Sequence, residues 1–497
     1  MSRPLVCLTL TGKTLAEDVA MVNKYKSYID IAELRADYLD DNERLLIRAF
    51  PQMVGIPCIL TIRRKIDGGE FLDGEANRTI LFARALAFAD EDKRKNFEYI
   101  DFEEDFRVPS LQDAALAFGI KTIRSVHSMD KPIENLTQRL ESLSNGGLEI
   151  PKIAFMPKSL DDVTKLFNEA SELKDSNHIL IAMGPLGLPS RILSAKLKNY
   201  LTFTSPIETA SNTSTLAHLD PITLNDVYNF KNINESTNIF GITGWPLTST
   251  SSPIIHNNGY KSHNMNNVYI PLKAERVEQA IFFANCTGIK GLSVTVPHKE
   301  QVLRFVQGMD EKVNAIGASN TIVKQDDEWL AYNTDASGFA KSLTEFTGLK
   351  NLRGKKVAII GAGGAARAIC YAVKKLHGKA CIFNRTVSKA KNLAKEFGFK
   401  YASLGTESLN LLRKYSNVII QTTSKGMNQT GEASEENDPI FFYDFTGREM
   451  LFDIIYVPSS TPVMTRAALA GCKVCNGYNM LKYQGYEQFE LFTGQAY

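Results

Sequence analysis

The chain has 497 residues, of which 44% are hydrophobic and 23% charged, and its formal net charge is +2. This length exceeds one ordinary domain and calls for about two to four. The near-neutral charge, with no long basic run, gives no reason to expect nucleic acid as a partner, and no apolar stretch approaches the roughly 18 residues of a membrane helix. The opening MSRPLVCLTL runs straight into strand-like sequence without a signal-peptide cleavage site, so the cytoplasm is the expected compartment. Among seven cysteines, Cys7, Cys58, Cys370 and Cys381 lie in apolar runs and read as core residues. Cys472 and Cys475 form one CxxC without the second pair or histidines that a zinc site needs, so no metal is expected.

From residue 1 to about 230, short β-rich runs alternate with helical patterns. The runs are PLVCLTL, YIDIAEL, IPCILTI, FEYIDFE, IKTIRSV, IPKIAFM, HILIAMG and YLTFTS. Most are too apolar to have a wet face, which argues for a parallel sheet covered by helices. Eight such units predict a (β/α)8 barrel. One helix start is legible in SLDDVTKLFNEASEL, with Ser159 at the N-cap and Asp162 three residues later.

In a (β/α)8 barrel the reactive face lies at the C-terminal ends of the strands. There the runs carry Glu33 and Arg35, then Arg63, then Asp101 and Glu103, then His127, with Lys152 just inside the sixth and Arg191 after the seventh. Taken singly, each could be a solvated loop charge. Converging on one mouth, they are costly unless they pair or bind a ligand. A lysine in an apolar pocket near other cations becomes a usable amine. It can form a Schiff base with a ketone, a histidine can move the proton on the neighbouring carbon, and arginines can hold a carboxylate.

The stretches AELRAD, LTIRRKIDGGE, SVHS, IPKIAFMP and MGPLGLPSR resemble type I 3-dehydroquinate dehydratase over residues 1 to 230. The resemblance implies that Lys152 is the Schiff-base lysine and His127 the general acid and base. It places Glu33, Arg35, Arg63 and Arg191 at substrate-binding positions, and Asp67 where the family usually has a glutamate. After the eighth strand, LAHLDP at 216–221 stands where the family has a lid sequence, and the usual lid glutamine is absent.

Around KNINESTN, residues 231–238, the composition turns polar and small, which marks a boundary. A strand, IFGITG, and a hydroxyl-rich loop, WPLTSTSSPIIHN, follow. GLSVTVPHKE reads as a strand ending at Pro297 that opens a helix, with Lys299 in its first turn, where the dipole disfavours a cation. WLAYNTDASGFAKSL places Asp335 at the next strand-to-helix corner. Each could be a surface charge or a helix cap; together they could relay a proton during hydride transfer. KKVAIIGAGGAARAICYAV then reads as strand, glycine turn and helix, with Gly361, Gly363 and Gly364 allowing pyrophosphate to approach the backbone. About 20 residues on, where NAD proteins carry an acidic residue, the chain has Asn384, Arg385 and Thr386, which favours NADP.

The motifs GWPLTSTSSPIIHN, TVPHKE, GASNTI, YNTD, GAGGAAR, NRT and MLKYQGYEQF resemble shikimate dehydrogenase over residues 238–497. That likeness implies Lys299 and Asp335 as the catalytic pair and Thr250 and Ser252 at the substrate carboxylate. Thr295, Asn320, Tyr456 and Gln484 would meet the remaining hydroxyls. The cofactor NADP(H) would sit on Gly361, Gly363, Gly364 and Ala365, on Asn384 to Thr386, and near Gly477. Two departures from the family are Thr250, where a serine is usual, and Lys425 in a loop that is usually neutral.

The expected architecture is therefore α/β: a (β/α)8 barrel at 1–232, then a two-domain shikimate-dehydrogenase-like unit. Its substrate domain is expected at 238–347, its Rossmann NADP-binding domain at 348–475, and a returning helical segment at 476–497. The expected partners are small molecules: 3-dehydroquinate, 3-dehydroshikimate and shikimate, dehydrated and then reduced on one chain. Two other readings stay open: a barrel inactivated by its altered lid, and a quinate rather than shikimate dehydrogenase.

Overall fold

A computed structural model describes residues 3–87, 90, 92–130, 134–173, 177–208, 219–247 and 250–497. The chain divides into two compact units, Met1–Ile289 and Lys290–Tyr497.

All eight predicted barrel strands are present in the first unit. They are β1 Leu5–Leu10, β2 Ile31–Arg35, β3 Cys58–Thr61, β4 Tyr99–Glu103, β5 Lys121–Ser128, β6 Ile150–Phe155, β7 Ile179–Ala182 and β8 Leu201–Thr204. They form one sheet in the order β7-β6-β5-β4-β3-β2-β1-β8, and each hydrogen-bonded pair is parallel. Successive strand residues face opposite sides, so period two decides what lies inside. Cys7, Ile31, Ile59, Tyr99, Ile123, Ile150, Ile179 and Leu201 share one buried cluster that plugs the barrel. Two residues on along six of the strands stand Thr9, Glu33, Thr61, Asp101, Ser125 and Lys152, all buried. A polar layer thus lies directly above an apolar one, and its side chains must satisfy one another.

The barrel closes between β7 and β8 by a side chain rather than by a ladder. The amide of Leu180 donates to Asn199 Oδ1 at 2.8 Å, and Asn199 Nδ2 returns a bond to the Leu180 carbonyl at 2.9 Å. One carboxamide thus replaces a strand residue, and it is 4% exposed. Tyr200 N completes the seam by donating to His178 O at 2.8 Å.

The capping box at Ser159 forms: Asp161 N donates to Ser159 Oγ at 3.1 Å, and Ser159 N to Asp162 Oδ2 at 3.2 Å. The helix it starts, Leu160–Ser171, carries a second duty. Phe167 packs edge-on to Phe283 with ring centroids 5.4 Å apart, and Asp161 Oδ2 accepts from Gln279 Nε2 at 2.8 Å. The helix Val277–Thr287 is thereby packed on a barrel helix. The parallel pair β9 Asn238–Gly244 and β10 Asn267–Lys273 lies in the same unit. Compactness therefore changes after Ile289, inside the segment expected to be one domain at 238–347.

The second unit holds β11 Gly291–Val294, β12 Gly308–Met309, β13 Thr321–Gln325 and β14 Glu328–Tyr332, in the order β11-β13-β14-β12. It also holds a parallel sheet of β15 Lys356–Ile360, β16 Lys379–Asn384, β17 Lys400–Ser403, β18 Val418–Gln421, β19 Met450–Asp453 and β20 Lys473–Cys475. Their order, β17-β16-β15-β18-β19-β20, is that of a dinucleotide-binding Rossmann sheet, with its reversal between β15 and β18. The last helix, Tyr478–Thr493, crosses the helix Asp335–Thr347 so closely that a Cβ on Gly338 would lie 2.8 Å from Gln484 N. Among the described residues no helix is long and apolar enough to cross a membrane.

Replacing Asn199 with leucine leaves the buried amide and carbonyl of Leu180 without partners. Each orphaned group costs about 1–3 kcal/mol, so the barrel should lose about 2–6 kcal/mol. The check is the urea midpoint of its unfolding transition, which should fall at unchanged slope; an unmoved midpoint would show that Asn199 does not hold the seam.

Candidate active site

One cavity at the C-terminal mouth of the barrel is lined by Glu33, Arg35, Arg63, His127, Lys152 and Arg191, six of the eight residues that the sequence placed there. Lys152 reaches it because β6 is buried throughout and period two turns residue 152 inward. Its Nζ donates to Asp101 Oδ2 at 2.9 Å, stands 4.0 Å from Glu33 Oε1, and lies 4.4 Å from the centre of the Phe203 ring. The nearest charge is therefore a carboxylate, where the sequence led us to expect other cations. Asp101 also accepts Arg63 Nη2 at 2.8 Å and Ser125 Oγ at 2.5 Å. Burial pushes its carboxyl up, but Arg63, Lys152 and His127 outweigh that and hold it well below the usual carboxylate range.

The charges continue inward as a chain. Arg63 Nη1 donates to Glu103 Oε1 at 2.7 Å, and Glu103 Oε2 accepts Arg78 Nη1 at 2.6 Å. Glu33 is fixed by two hydroxyls, Thr9 Oγ1 and Thr61 Oγ1, each at 2.8 Å. Arg35 is spent on Asp37, with a fork of 2.9 and 2.8 Å. Asp67 accepts from Arg64 Nε at 2.6 Å.

Among the described residues that line the cavity, two groups break this pattern of satisfaction. His127 Nδ1 has no hydrogen-bond partner among the described residues. Burial, with Arg63 and Lys152 adding to it, holds this imidazole well below its ordinary pKa, so the ring is neutral. Arg191, 1% exposed, donates only Nη1 to the Phe203 carbonyl at 3.2 Å, while its Nε and Nη2 have no partner among the described residues. Burial without a carboxylate brings its guanidinium down to about 9. Unpaired donors aimed into a cavity are an invitation to an anion.

Sequence reading missed Arg78, Arg124 and Glu149 as parts of this framework. Arg124 forks onto Glu149 at 2.9 and 2.6 Å, and both are buried. An arginine on a helix or mid-strand carries no signal in sequence that it points inward. Of the expected lid, 216–218 lie outside the described residues; Leu219 O accepts Ser205 N at 3.3 Å.

In the second unit Lys299 Nζ meets Asp335 Oδ2 at 2.5 Å, and Asp335 is 6% exposed at the start of its helix. Lys299 is not in a helical first turn, contrary to expectation. Residues 296–300 form a turn, and the short 3-10 helix begins only at Gln301. The Lys299 carbonyl accepts Ser319 N at 2.8 Å, a bond outside any helical ladder.

Asn320 fixes the other Asp335 oxygen. Its Nδ2 lies 3.0 Å from Asp335 Oδ1, 2.9 Å from Thr334 Oγ1 and 3.1 Å from Gln484 Oε1, and its Oδ1 accepts Thr334 N at 2.8 Å. Gln488, not anticipated, holds the Asn320 carbonyl at 3.1 Å and Thr321 Oγ1 at 2.8 Å. Thr295 lies beyond the end of β11 and Tyr456 beyond β19, both half-buried. In the first unit, Ser252 N donates to Thr250 Oγ1 at 3.2 Å. Lys425, whose role the sequence left open, donates its Nζ to the Glu435 carbonyl at 2.5 Å and so ties down the loop that follows.

The glycine turn follows β15 at the reversal of the sheet. Gly361 has φ of +112°, and a Cβ there would lie 2.5 Å from Thr422 Oγ1. A Cβ on Gly363 would meet nothing within 4 Å, so the space above the turn is open. No side chain caps the helix Gly364–Lys375, which leaves its first-turn N–H groups, including that of Ala365, facing outward. At the end of β16, Asn384 Nδ2 bonds the Thr386 carbonyl at 2.9 Å and leaves Arg385 exposed. Gly477 packs so close that a Cβ would lie 2.0 Å from Ile454 O. These features fit a dinucleotide: a pyrophosphate on uncapped amides and a cation beside the ribose.

The chain matches the family model of type I 3-dehydroquinase over residues 6–235. It matches the shikimate dehydrogenase substrate binding domain over 242–322 and shikimate/quinate 5-dehydrogenase over 342–454. It is 31% identical to the chloroplastic bifunctional 3-dehydroquinate dehydratase/shikimate dehydrogenase of Arabidopsis thaliana, covering 99% of this chain and 82% of that protein. Over 53% of this chain and 94% of the other, it is 36% identical to the shikimate dehydrogenase (NADP(+)) of Carboxydothermus hydrogenoformans. The solved structure of dehydroquinate dehydratase and shikimate dehydrogenase from S. pombe covers 100% of this chain and 96% of its own, at 22% identity and a TM-score of 0.43. Because a single relative is similar from end to end, across the barrel and the Rossmann sheet alike, the chain belongs to the bifunctional 3-dehydroquinate dehydratase/shikimate dehydrogenase family.

Proposed function

We propose that the barrel dehydrates 3-dehydroquinate to 3-dehydroshikimate and that the dehydrogenase half reduces this product to shikimate with NADPH. The observation that carries the first half is one cavity holding a buried amine, a neutral imidazole with a bare nitrogen, and a guanidinium with two unused donors. Arg191 binds the substrate carboxylate. Lys152 attacks the ketone, and the carbinolamine loses water to give an imine. That imine accepts the electron pair when His127 removes a proton from the neighbouring carbon. His127 then returns the proton to the departing hydroxyl, which leaves as water, and hydrolysis frees Lys152. Asp101 and Glu33 supply counter-charge to the iminium. All these parts are in place, which favours a working barrel over a degenerate one.

In the dehydrogenase half, NADPH when bound supplies the hydride. The amides of Gly363 to Ala365 would hold its pyrophosphate and Arg385 its 2′-phosphate. Lys299 delivers the proton to the forming hydroxyl oxygen, with Asp335 holding the ammonium and Asn320 holding Asp335. Thr250 and Ser252 bind the substrate carboxylate, while Thr295, Tyr456 and Gln484 contact its hydroxyls. We assign the functional segments as 1–232, 238–347, 348–475 and 476–497.

Borohydride added with 3-dehydroquinate should reduce the imine and leave a covalent adduct on Lys152, seen by peptide mass spectrometry. Lys152→Ala should lose adduct and dehydration together while keeping shikimate oxidation; adduct-free dehydration by the wild type would overturn the imine. Because the pKa of His127 is lowered, its protonation requires more acid than an ordinary histidine. The acid limb of dehydratase kcat/KM, which reports the free enzyme, should therefore lie well below pH 6.5, and a limb at or above that value would remove His127 as the base. Arg385→Ser should raise KM for NADPH by about 10–100-fold, the worth of a charged hydrogen-bonded pair, and leave KM for NADH nearly unchanged.

A further inference from the structure

Arg367, in the helix that follows the glycine turn, bonds to Ile316 and Glu396 rather than to Lys299 or Asp335, yet it ties together the segments that hold both. Its Nε donates to the Ile316 carbonyl at 2.6 Å. Its Nη2 meets Glu396 Oε2 at 2.5 Å, and its side chain is 19% exposed. Ile316 ends the helix Glu311–Ile316, and Gly317 follows with φ of +71°. A Cβ on Gly317 would stand 2.7 Å from Arg367 Nη2, so glycine is required here both for the backbone and for the approach of the guanidinium.

What lies beyond Gly317 gives that bond its weight. Ser319 N donates to the Lys299 carbonyl at 2.8 Å, and Asn320 Nδ2 to Asp335 Oδ1 at 3.0 Å. A five-residue segment therefore runs from the Arg367 contact to both members of the reactive pair. Ile316, Ala318, Ala336 and Ala368 form one buried cluster, in which alanines let the helix Gly364–Lys375 approach closely. At the N-terminus of that helix, a Cβ on Gly364 would lie 3.7 Å from Lys299 Cδ. On its other side Glu396 belongs to the helix Val387–Phe397, which begins directly after Asn384, Arg385 and Thr386. One guanidinium thus spans the pair's support, the pyrophosphate helix and the helix behind the 2′-phosphate loop.

We infer that Arg367 is a positioning residue that sets the distance between the Lys299–Asp335 pair and the glycine turn. The inference rests on the dehydrogenase reading above. Hydride transfer is sensitive to such spacing, since a displacement of about 1 Å in a reacting group costs on the order of 100-fold. The substrate and the cofactor would still find their own contacts in a variant, but not each other.

The test uses the full chain, with shikimate oxidation by NADP, NADPH binding by fluorescence, and the primary deuterium isotope effect on 3-dehydroshikimate reduction by NADPH deuterated at the transferred C4 position. In Arg367→Met, kcat should fall about 100-fold. KM for shikimate and affinity for NADPH should stay within about threefold, and the isotope effect should grow as the hydride step becomes limiting. Glu396→Gln, which keeps the Ile316 bond, should lose kcat in the same direction by about 3–10-fold, the worth of one hydrogen bond. Binding of NADPH reports that the second unit is folded. Unchanged kcat in Arg367→Met overturns the inference, and so does a loss of NADPH affinity in step with kcat, which is the signature of a structural role. A wild-type chain that binds NADPH but oxidises no shikimate overturns the dehydrogenase reading and this one with it.

Discussion

The first unit depends on a buried ladder of charge. Lys152, Asp101, Arg63, Glu103 and Arg78 are linked hand to hand at 2.6–2.9 Å, and each is at most 5% exposed. Isolated, each would cost several kcal/mol to bury. Linked, they hold one another, and removing any middle member strands its neighbours. The ladder also dictates the strands. β3, β4, β5 and β6 must end or pass in residues that reach inward, and the layer beneath them must be apolar enough to seal the barrel floor. Cys7, Ile31, Ile59 and Tyr99 do that sealing.

The second unit meets the same problem with amides instead of charges. Asp335 is buried and needs one oxygen for Lys299, so its other oxygen requires a neutral donor. Asn320 supplies it, and the remaining capacity of Asn320 is filled by Thr334 and Gln484, with Gln488 on its backbone. A chain of carboxamides has no net charge, so it can fix a carboxylate without competing for the lysine. Gly338 allows the last helix to come near enough to contribute Gln484 and Gln488.

Much of this was legible in the sequence, for physical reasons. Strands buried on both faces read as continuous apolar runs, which is why all eight barrel strands were found. Residues at strand ends were found because this fold exposes that end, and the glycine turn because its spacing has a backbone meaning. What was not legible depends on contacts distant in sequence. Arg78 and Arg124 look like ordinary polar residues until Glu103 and Glu149 are folded beside them. Lys299 was read into a helix because sequence cannot show that Ser319 takes its carbonyl. Composition shifts near 231–238, whereas Phe283 and Gln279 pack on a barrel helix, so the change in compactness falls later, after Ile289.

In both units the proposed sites coincide with incomplete hydrogen bonding. Arg35 and Arg63 look equivalent to Arg191 in sequence, yet the first two are spent on Asp37, Asp101 and Glu103. Of these three, Arg191 alone is fully buried with two donors that have no partner among the described residues. Paired arginines set the shape of the cavity, and in the proposed function the one with unused donors binds what enters it. The glycine turn works alike: a serine or aspartate before Gly364 would cap the helix and stabilise it, but would occupy the amides that a phosphate needs. The absence of a cap and the absence of a carboxylate are the same device, stability withheld at the point where a ligand can supply it.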